Sequence, residues 1–205
     1  MSKQINIVLA SHNQNKLIEF KNIFQKIQLT PLSLKEFTSI IPEENGSSFK
    51  ENALIKAKFA SKTINYSIPT IADDSGLCVE NLDDQPGIYS ARWAKDNNYI
   101  NAFNKIKNGL EKKNIIMNNQ RAKFVCVLAL IDISKKEYIY EGTLEGSLVF
   151  PARGDFGFGY DPIFIPSGYN KTLAELSLTV KNTISHRGKA IKKLISGKWF
   201  NNMKI

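Results

Sequence analysis

Two pairs of adjacent carboxylates are the residues best suited to bind a hard cation. Glu43-Glu44 lies in a polar stretch, and Asp73-Asp74 directly follows a short apolar run. Mg²⁺ takes oxygen ligands, commonly one or two carboxylates together with phosphate oxygens and water. For Glu43-Glu44 alone, a solvated turn is the simpler interpretation. Adjacent carboxylates repel each other, so Asp73-Asp74 after an apolar segment predicts that a cationic group faces them.

The segment SHNQNK, residues 11–16, is a candidate phosphate-binding turn between a predicted strand and a predicted helix. A helix N-terminus offers amide donors and a positive dipole end to phosphate, and Lys16 would add a full charge. The Walker A pattern GxxxxGK[ST] is absent from the sequence. Taken alone, the segment is more simply explained as a helix cap formed by Ser11 or Asn13.

Aromatic and glycine residues alternate in the segment RGDFGFGYDP, residues 153–162. Glycine lets the backbone of such a loop take unusual conformations, and Phe156, Phe158 and Tyr160 offer flat apolar faces. Two interpretations are open for this loop. The rings could stack on a nucleotide base, or they could fill the core under the loop.

Hydrogen-bond donors are grouped near the C-terminus, at Lys181 and His186-Arg187. On one ideal helix Lys181 and Arg187 would point in different directions, so their convergence requires a break in the helix. His12 and His186 are the only histidines. No pattern of a Ser/His/Asp or Cys/His nucleophilic site is recognisable.

Apolar periodicity predicts the elements that must position these groups. Strands are predicted at residues 5–10, 28–34, 69–72, 77–79, 124–131, 138–140 and 143–150, with an acidic turn at 73–76. Helices are predicted from 16 to 27, from a capping box at 48–51 to 64, over 99–110, and as a closing basic helix at 185–195. Pro31 predicts an edge position for the second strand, because proline donates no ladder hydrogen bond.

Strands alternate with helices in the first half and cluster in the second, which predicts an α/β fold with a mixed sheet flanked by helices. A length of 205 residues favours a single domain over residues 1–205. Cys78 and Cys126 are isolated and lie in apolar segments, as expected of reduced core thiols in the cytoplasm. The sequence predicts no signal peptide and no membrane partner, and hence a cytoplasmic location.

The formal net charge of +9 would attract any polyanion, so a basic nucleic-acid-binding protein is an alternative. The lysines are spread along the whole chain, whereas the aromatic residues are concentrated in one glycine loop. Asp73-Asp74 would also repel a phosphate backbone unless a metal ion intervened. These features favour a nucleotide enzyme over specific nucleic-acid binding.

The sequence resembles the inosine triphosphate pyrophosphatase family in five segments that occur in the family's order. They are VLASHNQNK, SFKENALIKAKFA, IADDSGLCVE with PGIYSARW, FGFGYDPIF, and TLAEL with ISHRGKA. The resemblance covers essentially the whole chain. It implies an elongated mixed sheet with two lobes and an active-site cleft between them. It also implies a Mg²⁺-dependent homodimer that hydrolyses non-canonical purine nucleoside triphosphates (ITP, dITP, XTP) to monophosphate and pyrophosphate and so cleanses the nucleotide pool.

The resemblance also implies individual roles. Asp74 corresponds to the proton acceptor and a metal ligand, Lys56 to a second catalytic lysine at the phosphates, and Glu43 to the other metal ligand. Because Glu44 is adjacent, that register is open by one residue. The implied substrate-binding residues are Ser11, His12, Asn13, Gln14, Asn15, Lys16, Ser75, Phe158, Gly159, Tyr160, Asp161, Lys181, His186 and Arg187.

Residues 11–16 would bind the triphosphate, chiefly through Asn13 and Lys16. Residues 158–161, with Lys181 and His186-Arg187, would recognise the base. His12 departs from the family, which commonly has glycine in the phosphate turn, and it would narrow the turn or add a donor. A related pyrophosphatase of modified pyrimidine nucleotides is the alternative enzyme, because only base specificity separates the two.

Overall fold

The computed structural model of the chain describes residues 5–11, 13–24, 27–94 and 98–202. His12, a predicted substrate-binding residue, lies outside the described residues. Within these ranges the strands are β1 Ile5–Leu9, β2 Leu29–Ser33, β3 Thr70–Val79, β4 Gln85–Pro86, β5 Arg121–Ile131, β6 Glu137–Leu148 and β7 Phe164–Pro166. The α-helices of the same ranges are α1 Gln14–Phe24, α2 Phe49–Thr63, α3 Ser90–Trp93, α4 Tyr99–Lys112, α5 Leu178–Ile184, α6 His186–Ile195 and α7 Lys198–Asn202.

The strands form one mixed sheet in the order β2-β1-β3-β5-β6-β7, with β4 paired to β3. β1 is parallel to β2 and to β3, whereas β3–β4 and β6–β7 are antiparallel pairs. The mixed α/β fold predicted from the sequence is therefore confirmed. β2 lies at one end of this order and carries Pro31 opposite Ile7, so the edge position is confirmed as well.

The chain divides into two compact units. The first unit combines the N-terminal part through Asp74, the segment Val127–Glu141 and the C-terminal part from Ala190. In its interior Phe20 and Phe24 pack edge to face with ring centroids 5.3 Å apart. The second unit consists of Ser75–Cys126 and Gly142–Lys189. In its core Phe124 packs on Phe164 with ring centroids 4.7 Å apart.

Two strand predictions are wrong. β3 runs without interruption from Thr70 to Val79, where an acidic turn was expected at 73–76. Both aspartates are buried in this strand and have cationic partners, so the chain needs no turn to bring them to water. β6 is likewise a single strand, Glu137–Leu148, that includes residues 141 and 142, instead of two strands at 138–140 and 143–150.

Helix ends agree with the sequence in part. Ser48 caps α2 as predicted by accepting a hydrogen bond from the Glu51 amide at 3.2 Å. The Glu51 carboxylate, however, accepts from the Ser47 amide at 2.7 Å and so does not close a capping box. The closing basic helix begins at His186, and Ser185 before it is extended, at φ −63° and ψ 157°. The break that a convergence of Lys181 and Arg187 would require is therefore present.

Two further sequence expectations concern the cysteines and the membrane. Cys78 and Cys126 are buried free thiols, as predicted. In the part of the chain that the structure describes, no helix has the length and apolar character needed to cross a membrane.

Candidate functional site

The first unit gathers acidic and basic side chains around the aspartates of β3. Asp73 and Asp74 are buried, with 1% and 6% of their surface exposed. Lys16, in the first turn of α1, places its Nζ 2.9 Å from Asp73 Oδ2. Lys56, in α2, places its Nζ 3.3 Å from Asp74 Oδ1. The prediction that cationic groups face Asp73-Asp74 is confirmed, since each aspartate contacts one lysine.

Two further residues complete this group, which we call the acid–lysine cluster (Lys16, Glu44, Asn52, Lys56, Asp73 and Asp74). Lys56 Nζ lies 3.0 Å from Glu44 Oε1, and Asn52 Nδ2 donates to Asp74 Oδ2 at 3.3 Å. The side chain of Glu43 is exposed. The structure thus brings Glu44 to the aspartates, and the role of Glu43 as a metal ligand stays a prediction.

Sequence analysis did not select Asn52, although its spacing contains a signal. Asn52 and Lys56 are four residues apart in α2, so they share one helix face, and both contact Asp74. The Gly46 amide donates to Asn52 Oδ1 at 2.9 Å, which leaves the amide nitrogen directed at Asp74. A polar residue one turn before a candidate catalytic lysine was the available signal.

The cluster shifts the proton affinity of its members. Burial raises the pKa of Asp74, and the nearby charges of Lys56 and Lys16 only partly oppose this. Burial also acts to lower the pKa of Lys56, but Asp74, Asp73 and Glu44 together raise it. Lys56 therefore carries its charge at neutral pH, while Asp74 holds a proton more readily than an ordinary aspartate.

The predicted phosphate turn forms a helix cap in this structure. Asn13 Oδ1 accepts hydrogen bonds from the amides of Asn15 at 3.0 Å and Lys16 at 3.2 Å. Ser11 Oγ accepts from the Asn13 amide at 3.2 Å. Gln14 and Asn15 are exposed. The cap places Lys16 beside Asp73, and contacts of this segment with phosphate stay a prediction.

The donor chemistry of the acid–lysine cluster fits a hard cation that arrives with its own ligands. Among the described residues, no group of three or more His, Cys, Asp or Glu side chains is arranged to hold a metal ion. Asp74 and Glu44 nevertheless direct carboxylate oxygens at one positive group, the ammonium of Lys56. Mg²⁺ commonly takes one or two protein carboxylates and completes its shell with phosphate oxygens and water.

In the second unit a buried ion pair organises the glycine loop. Asp161 Oδ2 lies 2.7 Å from Lys181 Nζ and accepts the Phe158 amide at 2.8 Å. The Lys181 ammonium also lies 4.5 Å from the centroid of the Phe158 ring. Gly157 has φ +81°, and a Cβ there would lie 2.3 Å from Asp161 Oδ2, so glycine is required next to the pair.

The break between α5 and α6 positions two more predicted residues. Arg187 Nη2 donates to Ser75 Oγ at 3.1 Å. The His186 ring stacks on Phe124 with centroids 4.8 Å apart and an interplanar angle of 10°. Both side chains at the start of α6 are buried. The structure therefore brings Ser75 and Arg187 together, as it does Phe158, Asp161 and Lys181.

The aromatic residues of the glycine loop divide between the two interpretations. Tyr160 fills the core, because it is buried, donates to the Ser90 carbonyl at 2.9 Å and packs against Tyr99 at 5.3 Å. Phe156 is 67% exposed, and Phe158 is half-buried beside Lys181. Among these rings, the structure places Phe158 next to a charged group, the Lys181 ammonium. Substrate contacts of Gly159 and Tyr160 stay a prediction.

Comparison with known proteins agrees with this architecture. The sequence model of the Ham1 family matches residues 7–197. The dITP/XTP pyrophosphatase of Zymomonas mobilis is 44% identical over 93% of this chain and 90% of its own length. The dITP/XTP pyrophosphatase of Oceanobacillus iheyensis is 41% identical over 96% and 98%. A HAM1 protein of Coxiella burnetii has a similar structure, with a TM-score of 0.83 and 38% identity over 94% and 97% of the two chains. The chain belongs to the Ham1 family.

Proposed function

We propose that this protein hydrolyses non-canonical purine nucleoside triphosphates, namely ITP, dITP and XTP, to the monophosphate and pyrophosphate. The observation that carries the proposal is the buried carboxylate of Asp74, held between Lys56 and Asn52 with a raised pKa. A carboxylate in this setting is suited to accept a proton from water beside a phosphate chain. The names and near-complete coverage of the bacterial relatives support the same reaction.

The chain's own residues supply two parts of this reaction. The oxygen of a water molecule bonds to the α-phosphorus, the bond from that phosphorus to the bridging oxygen breaks, and pyrophosphate leaves. Asp74 accepts the proton that the water loses. Lys16 and Lys56 stabilise the negative charge that develops on the leaving pyrophosphate. Their positions beside Asp73 and Asp74 put acid–base and electrostatic groups in one cluster.

We propose that Mg²⁺ is the cofactor and that Asp74 and Glu44 provide the protein's ligands. Bound there with the triphosphate, Mg²⁺ would neutralise phosphate charge and lower the pKa of the attacking water. Glu44 is preferred to Glu43 as the second ligand because its carboxylate already faces the cation Lys56. A cluster of three carboxylates and two lysines also needs added positive charge before it can accept a triphosphate.

Base selection is assigned to residues of the second unit. Lys181 lies over the ring of Phe158, so a base would stack on the ring face away from that ammonium. His186 and Arg187 carry nitrogen donors that would pair with the keto oxygen of hypoxanthine or xanthine. Adenine presents an amino group at that position, which would leave buried donors unpaired and is therefore rejected. A homodimeric assembly stays part of the proposal, since the family resemblance implies it.

A substrate panel with product identification tests the proposed function. ITP, dITP, XTP, ATP, GTP and pyrimidine triphosphates are incubated with the protein and Mg²⁺, and pyrophosphate is measured separately from orthophosphate. We expect pyrophosphate from ITP, dITP and XTP and little turnover of ATP, with activity lost in EDTA and restored by Mg²⁺. Release of orthophosphate would contradict cleavage at the α-phosphorus. A preference for modified pyrimidines would transfer the protein to the alternative substrate class.

A further inference from the structure

The ammonium group of Lys56 occupies the place in the acid–lysine cluster that a cation would take. It lies 3.0 Å from Glu44 Oε1 and 3.3 Å from Asp74 Oδ1. These are the carboxylates assigned above to the divalent cation. A metal ion bonded to the same oxygens would have its charge next to the ammonium in a partly buried site, where like charges repel strongly. One cation therefore excludes the other from these oxygens.

The surroundings of Lys56 permit such an exchange. Its side chain is 13% exposed and that of Glu44 is 33% exposed, so solvent and ions reach this side of the cluster. A lysine is a compact charge on a flexible four-carbon stem, and it can leave one partner for another without a change in the backbone. Lys16, by contrast, contacts Asp73, whose side chain has no exposed surface.

We propose that Lys56 is an internal competitor for the divalent cation: it holds the oxygens of Asp74 and Glu44 until the cation displaces it, and it then becomes available to phosphate. This inference rests on the proposed function, which supplies the cation. It assigns Lys56 two states, one paired with carboxylates and one directed at the triphosphate. The cation binds the carboxylates and so releases Lys56 for the triphosphate, and the triphosphate binds Lys56 and so releases the carboxylates for the cation. Each ligand therefore favours the binding of the other.

One substitution distinguishes this role from that of an ordinary catalytic lysine. Loss of a lysine needed for catalysis ordinarily weakens every function of a site. Here Lys56→Met, which keeps the apolar stem and removes the charge, should bind Mn²⁺ more tightly in the absence of nucleotide, on the order of tenfold. Lys56→Arg keeps the charge and can bond both carboxylates in a planar fork. It should bind Mn²⁺ no more tightly than the parent protein.

The experiment is titration of the full-length protein with Mn²⁺ at pH 8, followed by electron paramagnetic resonance of free Mn²⁺ and by calorimetry. Lys58→Met is the matched control for net charge, because Lys58 lies in the same helix, is half exposed and pairs with Glu137 at 2.8 Å. We expect Lys58→Met to change the Mn²⁺ affinity by about twofold or less. Circular dichroism verifies that each variant is folded, and Lys56→Gln replaces Lys56→Met if the latter does not fold.

The outcomes separate this inference from the proposed function. Tighter Mn²⁺ binding by the uncharged Lys56 variant than by both Lys58→Met and Lys56→Arg supports the competition. Equal or weaker binding overturns it, as does the absence of Mn²⁺ binding by both the parent and the uncharged variant. The substrate panel is an independent measurement, so ITP hydrolysis without the Mn²⁺ effect removes this inference alone. The Mn²⁺ effect without ITP hydrolysis removes the proposed function alone.

Discussion

Each unit of the protein contains a lysine beside a buried aspartate, and the two arrangements differ in exposure and in charge balance. In the second unit Lys181 and Asp161 are 2.7 Å apart, with 3% and 4% of their side chains exposed. In the first unit Lys56 is shared between Asp74 and Glu44, and Glu44 is 33% exposed. The acid–lysine cluster contains three carboxylates and two lysines, whereas the contact in the second unit joins one aspartate to one lysine.

This difference indicates two roles, a structural role for the buried pair of the second unit and a catalytic role for the acid–lysine cluster. A buried ion pair fixes its surroundings, because removing either charge takes away a strong interaction of the other in the interior. Asp161 also holds the Phe158 amide, so the pair determines where that ring lies. A cluster with several carboxylates and partial exposure attracts further cations and can exchange partners. We therefore expect substitutions in the second unit's pair to affect folding first, and those in the acid–lysine cluster to affect catalysis first.

The largest expected effect belongs to Asp74. Asp74→Asn should lower kcat for ITP by about 10²–10⁴-fold, the usual contribution of a general base. The free energy of unfolding at pH 7 should be unchanged or higher. Burial raises the pKa of Asp74, so the ionised carboxylate destabilises the native state at neutral pH and a neutral amide does not. Pyrophosphate release and urea denaturation measure the two quantities.

The pH dependence provides the control for Asp74→Asn. A carboxyl with a raised native pKa stabilises the fold below its unfolded pKa and loses that contribution as the pH rises through the native pKa. The stability difference between Asp74→Asn and the parent should therefore disappear in acid. Near-parental turnover in a folded Asp74→Asn protein would exclude Asp74 as the base. Comparing Glu44→Gln with Glu43→Gln assigns the second ligand to the residue whose loss costs more activity.

The second prediction concerns the buried pair. Lys181→Met should destabilise the protein by about 3–5 kcal/mol, because it removes the ammonium that lies 2.7 Å from the buried Asp161 carboxylate. The double variant with Asp161→Asn should recover part of this loss, since it also removes the buried negative charge. Urea denaturation of the parent, the single variants and the double variant measures the coupling.

An exposed pair in the same unit is the control for Lys181→Met. Lys113 and Asp83 are 2.9 Å apart with side chains 44% and 85% exposed, so Lys113→Met should cost less than about 1 kcal/mol. Similar losses from Lys181→Met and Lys113→Met would show that burial of the Asp161 pair has no special energetic role. The expectation that substitutions in the Lys181–Asp161 pair affect folding first would then be wrong.

Local patterns predicted most of the secondary structure, whereas only the family resemblance indicated which distant residues form one site. The apolar run from Phe124 to Ile131 and the Ser48 cap were sufficient for β5 and α2. Asp73-Asp74 was misinterpreted as a turn because local sequence shows two adjacent charges and cannot show the lysines that pair with them. Those lysines are separated in sequence from the aspartates by 57 residues for Lys16 and 18 for Lys56. The choice between Glu43 and Glu44 was open for the same reason.

The third prediction tests how closely the start of α6 packs against α5. Gly188 follows Arg187 in α6, and a Cβ there would lie 2.0 Å from the Asn182 carbonyl oxygen. Gly188→Ala should destabilise the protein by about 1–3 kcal/mol, because backbone atoms must shift to make room. Gly109→Ala is the control: its Cβ would meet the end of the Leu82 side chain at 3.1 Å, and alanine favours a helix interior. Thermal unfolding gives the melting temperatures of the two variants. Equal melting temperatures would show that α5 and α6 can move apart to accommodate the added methyl group without loss of stability.

The smallest effect is expected at Cys78, where burial raises the thiol pKa and the nearby charges mostly add to that shift. Burial raises the pKa of both Asp74 and Cys78, but two lysines oppose the shift at Asp74. At Cys78, Asp84 and Glu145 add to it, only Lys123 opposes it, and the thiol pKa reaches about 12. Because the thiolate is the reactive form, Cys78 should resist a disulfide reagent such as DTNB in the native protein at pH 8. It should react after unfolding in urea. Peptide mapping after labelling separates Cys78 from Cys126. Rapid labelling of Cys78 in the native protein would contradict the raised thiol pKa.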